Sequence, residues 1–145
     1  MNVATFQRFF REAASLHVDK SDLKRFTEFV DKQAYDVAIV ARDTARWNGR
    51  DVVEPPDLPL TKGLQECMRE FTRLDDELTL LPALEQLTPR PPDVAFSEEA
   101  ESRMLTFVGG LSVALARTFR VIDPRLANPR TEHWEQAFKI FDLLV

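Results

Sequence analysis

Few residues in this sequence have the type and spacing that chemistry needs. His17 and His133 are the only histidines. Neither has a Cys or second His at ligand spacing, so no metal site is expected. Cys67, the only cysteine, follows Glu66 within a helical pattern. No adjacent base makes it a nucleophile, and it reads as a core or boundary residue. The acidic clusters Asp75-Asp76-Glu77 and Glu98-Glu99 fall where helices are expected to begin. There they compensate a helix dipole, so they are not read as an acid/base pair. Gly49 and Gly63 are isolated and Gly109-Gly110 sits inside a helical pattern, so no loop cradles phosphate. Trp47 and Trp134 could anchor a partner, but at helix ends they read as edges of a core. The expectation is a non-enzymatic protein with no catalytic residue, metal, cofactor or small-molecule substrate.

The elements around these residues are helical. The chain has 145 residues, 44% hydrophobic and 30% charged, enough to bury a core. A first helix spans about Asn2 to Ala14. A long one follows, capped by Ser21 and Asp22 and running to Asn48-Gly49, with Leu23, Phe26, Val30, Ala34, Val37, Ala41 and Ala45 as its apolar stripe. Its several apolar faces predict a central helix. Val52-Val53 favours an extended piece, and Pro55-Pro56 delays a third helix to about Asp57. A second unit starts near Asp75: a short helix with Leu78, Leu81, Leu84 and Leu87, a proline-rich loop from Thr88 to Phe96, a long helix opened by Ser97, and a last helix from Thr131. The order short, long, short thus occurs twice, dividing the chain into 1–74 and 75–145. Mid-helix glycines cost up to about 1 kcal/mol each relative to Ala. Gly109-Gly110 therefore predicts a close crossing of the two long helices, against the small Ala34 and Ala38.

The stretches Asn48-Gly49-Arg50-Asp51-Val52 to Leu58-Pro59-Leu60-Thr61-Lys62-Gly63-Leu64-Gln65, Gly109 to Phe119, and Thr131-Glu132-His133-Trp134-Glu135 resemble a bacterial family of histone-fold doublets, a domain family of unknown function. The likeness runs the full length. It implies an all-α histone fold in which one chain folds like a histone dimer, a pseudodimer of two halves forming one compact domain. It also implies loop clamps, an arginine paired with an acid seven residues on: Arg50 with Asp57, and Arg125 with Glu132. A guanidinium can give a carboxylate two parallel bonds, and a carboxylate at a helix start meets the dipole's positive end.

The resemblance raises DNA binding. The implied loop pairing brings Lys20 toward Arg125 and Arg130, and Arg90 toward Arg50, with Arg8 and Arg11 adding charge from the first helix. Charge weighs against it. Residues 1–74 hold 12 Lys+Arg and 12 Asp+Glu, whereas residues 75–145 hold 7 and 12, which gives the whole net −5. Protein contacts or self-association are the expected mode, with architectural DNA binding through the loop arginines as the alternative. A lone cysteine, a start without a basic-then-apolar leader, and a longest apolar run of only Phe107 to Ala116 point to a cytoplasmic protein with no membrane contact, at the nucleoid if it binds DNA.

Overall fold

Asn2 opens the first helix, α1 (Val3–Ala14), by accepting the Thr5 N–H at 2.8 Å. α1 buries Phe6, Phe9 and Phe10. The long α2 (Lys20–Trp47) starts one residue before the expected caps. Its N-cap is Asp19, which accepts from the Ser21 and Asp22 N–H groups, while Asp22 returns the bond to the Asp19 N–H at 2.9 Å. This reciprocal capping box satisfies donors that a helix start leaves orphaned. The structure, a computed structural model, describes residues 1–86, 91 and 93–145. Arg90, Leu87 and part of the expected proline loop (88–90 and 92) therefore lie outside the described residues.

After α2 come a two-residue strand β1 (Val52–Val53), a 3-10 turn (Pro55–Asp57) and α3 (Lys62–Leu78). Asp57 thus belongs to a separate turn that the paired prolines set up. The third helix waits for Thr61, whose hydroxyl accepts the Leu64 N–H. α3 also runs past the expected joint at 74/75, ending at Thr79 in a left-handed conformation (φ 53°). Asp75 can stay helical because its carboxylate reaches forward, accepting the Leu80 and Leu81 N–H groups at 2.5 and 2.8 Å. The Asp75-Asp76-Glu77 cluster therefore closes α3 instead of opening a helix, though Asp75 still caps the short α4 (Leu81–Glu85).

The strand β2 (Ala95–Phe96) precedes α5 (Glu98–Ile122), and α6 (Thr131–Leu144) closes the order. Ser97 caps α5 as expected, with Glu98 and Glu99 in its first turn. The described chain is mostly helical, with a single two-stranded parallel sheet in which Val52 faces Ala95 and Val53 faces Phe96.

The central helix is α5, not α2. Met104, Phe107, Val108, Leu111, Val113, Leu115, Ala116 and Phe119 are all buried, so α5 is apolar nearly all round, as an enclosed helix must be. By length and composition α5 could cross a membrane, which the ten-residue run read from sequence understated; its apolar surface lies largely inside this fold. α2 keeps Tyr35, Val40 and Trp47 exposed. Aromatic rings tie the layers: Phe10 meets Phe26 edge-on, Phe9 lies beside Phe71, and Phe29 stacks on Phe138.

The glycine pair serves a different neighbour from the one expected. Ala34 and Ala38 are buried, but the atoms nearest a Cβ built on Gly109 or Gly110 belong to α3. A Cβ on Gly109 would strike the Phe71 ring, and one on Gly110 would lie 2.8 and 2.9 Å from the backbone N and Cα of Met68. The glycines let α3 come close against α5. The bulky Met68 and Phe71 need that space, whereas alanines facing glycines would leave a void.

Candidate interaction sites at the paired loops

Two places bring together loops that are far apart in the chain. At the first, β1 pairs with β2, and the Ser97 N–H donates to the Val53 carbonyl at 3.0 Å. The turn beside it is clamped as expected. Arg50 gives Asp57 two bonds, Nη1 to Oδ2 at 2.6 Å and Nη2 to Oδ1 at 2.7 Å. Asp57 also accepts the Glu54 N–H at 2.8 Å, and Arg50 donates to the Val52 carbonyl. The Asp57 side chain is 2% exposed and that of Arg50 37%. The guanidinium holds the Asp57 carboxyl below its ordinary value, with the Glu54 N–H adding to the effect against the cost of burial. A second pair, Arg42 to Asp93 at 2.7 Å, ties α2 to the segment before β2. Sequence held no sign of it, since its partners are 51 residues apart and unrelated in pattern.

The second place joins the α1–α2 connection to the α5–α6 connection. The His17 N–H donates to the Ala127 carbonyl at 2.7 Å. The expected Arg125–Glu132 clamp is not formed. Arg125 is exposed, and its backbone N–H goes to Asp123 Oδ1 at 3.0 Å. Glu132 is exposed in the first turn of α6, and the start of that helix is held by His133 Nδ1, which accepts the Arg130 N–H at 2.9 Å. A buried-acid clamp like that of Asp57 needs an enclosed carboxylate, and Glu132 has no such enclosure.

Arg120 does the tying instead. Its guanidinium donates to the Pro124 and Leu126 carbonyls at 2.9 and 2.8 Å and to the Ala14 carbonyl at 2.7 Å. An arginine in a helix's last turn is a common C-terminal pattern, but a carbonyl 106 residues away is invisible in sequence. Asp22 adds a buried link, its Oδ1 accepting the Trp134 indole N–H at 2.8 Å. Burial pushes the Asp22 carboxyl above its ordinary value. Arg25 reaches Thr131 Oγ1 at 2.7 Å.

The basic candidates separate accordingly. Arg11, Lys20, Arg125 and Arg130 are exposed, and none forms an ion pair among the described residues. A polar depression of about 560 Å³ lies between Asp123, Arg125, Asn128, Arg130, Glu132 and His133. Arg8 stands apart, donating to the Leu78 carbonyl at the end of α3. Arg50 is committed to its clamp.

The remaining candidates are plain. Among the described residues no three His, Cys, Asp or Glu side chains gather to hold a metal. Burial pushes the Cys67 thiol up, against the pull of Arg117. Trp134 is buried, but Trp47 is 90% exposed, so only one of the two tryptophans is the core edge that sequence suggested. Val121, Leu143 and Leu144 are 82%, 84% and 72% exposed, a second apolar area at the far ends of α5 and α6.

The family model for a domain of unknown function, DUF1931, matches residues 6–142. The chain belongs to the DUF1931 family. It is 46% identical to a protein of Thermus thermophilus whose crystal structure superposes with a TM-score of 0.88, covering 100% of this chain and 99% of that one. A crystal structure of an Aquifex aeolicus protein superposes with a TM-score of 0.83 at 23% identity, over 98% of this chain and 94% of the other, a likeness of fold alone. An uncharacterised protein of Aquifex aeolicus (strain VF5) is 33% identical over 72 residues, 49% of this chain and 42% of that relative's length. The DUF1931 fold is thus seen in crystals, and nothing in these relatives' descriptions names an activity.

Proposed function

We propose that this DUF1931 chain is a histone-fold pseudodimer that works without catalysis, as a scaffold engaging other protein surfaces or further copies of itself. The twofold loop exchange supports the pseudodimer: the loop after the first long helix pairs with the loop before the second, and the loop before the first meets the loop after the second. Each half supplies what the other lacks.

The observation that carries the mode of action is the contrast between cations and apolar surface. At the Arg50 end, Arg50 and Arg42 are both spent on internal carboxylates. Asp43, Asp51, Glu98 and Glu99 are exposed near the same connections. At the far end of α5 and α6, large aliphatic side chains stand in solvent, and contiguous exposed apolar surface marks contact sites.

A second reading, architectural DNA binding, has one specific observation behind it: among the described residues, Arg11, Lys20, Arg125 and Arg130 form no ion pair around the other loop pair. Their charge is diluted by Glu12, Asp19 and Glu132. Titrating duplex DNA at low and moderate salt separates the readings. The scaffold reading expects no shift at low salt. Micromolar binding that weakens steeply with salt, the signature of released counterions, would contradict it.

A further inference from the structure

A groove of about 390 Å³ runs between α3, α5 and α6. Small-molecule sites span about 300–1,000 Å³ and are mostly apolar, with a few polar groups that orient the ligand. Leu64, Cys67, Ile122 and Phe141 give this groove its apolar lining. Three of its side chains carry strong hydrogen-bonding groups: Thr61, Thr118 and Arg117. The two hydroxyls are already used. Thr61 accepts the Leu64 N–H at 3.2 Å, and Thr118 donates to the Ala114 carbonyl at 2.7 Å.

Arg117 is the exception. Its side chain is half exposed, and its one ion pair among the described residues is a loose contact of 3.8 Å with Glu70. Glu70 has a better partner, because Arg73 donates to both of its carboxylate oxygens. The other neighbour of Arg117 is the Cys67 thiol, a weak acceptor that also lines the groove. A guanidinium without a close carboxylate of its own thus stands at an apolar groove.

We propose that this groove binds a small amphipathic acid, an unbranched aliphatic monocarboxylate, with its chain along the groove and its carboxylate on Arg117. A guanidinium can give a carboxylate two parallel bonds, and the aliphatic chain asks for none. An extended peptide suits the groove less well. Each of its residues brings an N–H and a C=O that need partners, and Thr61 and Thr118 are already committed. At about 30 Å³ for each water-sized group, the groove has room for about a dozen. A chain of about eight to ten carbons with its carboxylate fits that room. The site goes beyond the protein-contact reading and does not depend on it.

Calorimetric titration of the full chain with octanoate and with 1-octanol tests the site, with the folding of each variant checked by circular dichroism. Wild type is expected to bind one octanoate per chain saturably, and 1-octanol at least tenfold more weakly. Arg117→Gln is expected to weaken octanoate at least tenfold and to leave 1-octanol unchanged. Val121→Glu, which sets a carboxylate on the groove at a position 82% exposed, is expected to weaken octanoate at least tenfold as well. Arg125→Gln, an exposed arginine outside the groove lining, is expected to change neither. No saturable octanoate binding overturns the inference, as does 1-octanol bound as tightly as octanoate. Octanoate binding that survives Arg117→Gln or Val121→Glu, or that falls equally with Arg125→Gln, overturns it too. So does an Arg117→Gln variant that loses both ligands alike, since the arginine would then shape the groove without holding the acid.

Discussion

Arg50 and Asp57 show how one short spacing sets a turn. Seven residues apart, with Pro55 and Pro56 fixing the backbone between them, they meet in a two-bond ion pair whose acid is enclosed. Asp57→Ala would leave the Glu54 N–H and the guanidinium without their acceptor, at a cost on the order of 2 kcal/mol by the usual penalty for stranded polar groups. Arg50→Ala lowers the melting temperature as well. Because the Asp57 carboxyl is held below its ordinary 3.8, the folded state binds fewer protons there than the unfolded chain. The clamp's stabilisation is therefore full above the ordinary value and is lost as pH falls through the lowered one. Thermal melts of wild type and Arg50→Ala should differ most near neutral pH and converge in acid; a constant gap would show that the pair does not act through ionisation. This clamp was legible because the histone-fold resemblance implies it and both partners lie in one loop. The matching Arg125–Glu132 pair was not realised, because spacing says nothing of whether a carboxylate becomes enclosed. Arg120 took the role by bonding carbonyls from two distant segments. Arg120→Ala should lower the melting temperature by several degrees, and Arg125→Ala should leave it nearly unchanged; equal effects would contradict that assignment.

At the scale of elements, the glycine pair decides how closely α3 lies against α5. A methyl on Gly110 meets backbone of Met68, which cannot move without shifting the helix, whereas a methyl on Gly109 meets the Phe71 side chain, which can clear it only by swinging about its Cα–Cβ bond. Overpacking a well-filled core costs about 1–3 kcal/mol, offset in part by the helix preference of Ala, worth about 1 kcal/mol. Gly110→Ala should therefore destabilise more than Gly109→Ala in chemical denaturation. The reverse order would mean that the Phe71 ring is the less yielding neighbour. Sequence located the close approach but not its partner. A small-residue site in a helix announces that something comes near, and only the fold says what. Helix number and order were likewise legible from apolar periodicity and proline punctuation. Ends were less so, because capping by Asp19 and Asp75 depends on rotamers that no spacing rule fixes. The exposure of Trp47 was misjudged for a similar reason: a helix end can face either way.

At the scale of the molecule, the proposed pseudodimer has each half completed by the other. The sheet pairs β1 with β2, the His17–Ala127 bond closes the opposite loop pair, and Asp22 in α2 holds Trp134 in α6. With so many ties crossing between halves, neither should unfold alone, and the acidic second half should not melt before the first. The same distribution of charge and apolar surface sets the functional expectation, contacts with protein in preference to DNA. Whether the halves complete each other is tested most directly by equilibrium unfolding of the Trp47→Phe variant, in which Trp134 is the only tryptophan. Its fluorescence reports the contact between α2 and α6, and far-UV circular dichroism reports all helices. One coincident transition by both probes is the expected result. Two separated transitions, with helix persisting after Trp134 is released, would contradict it.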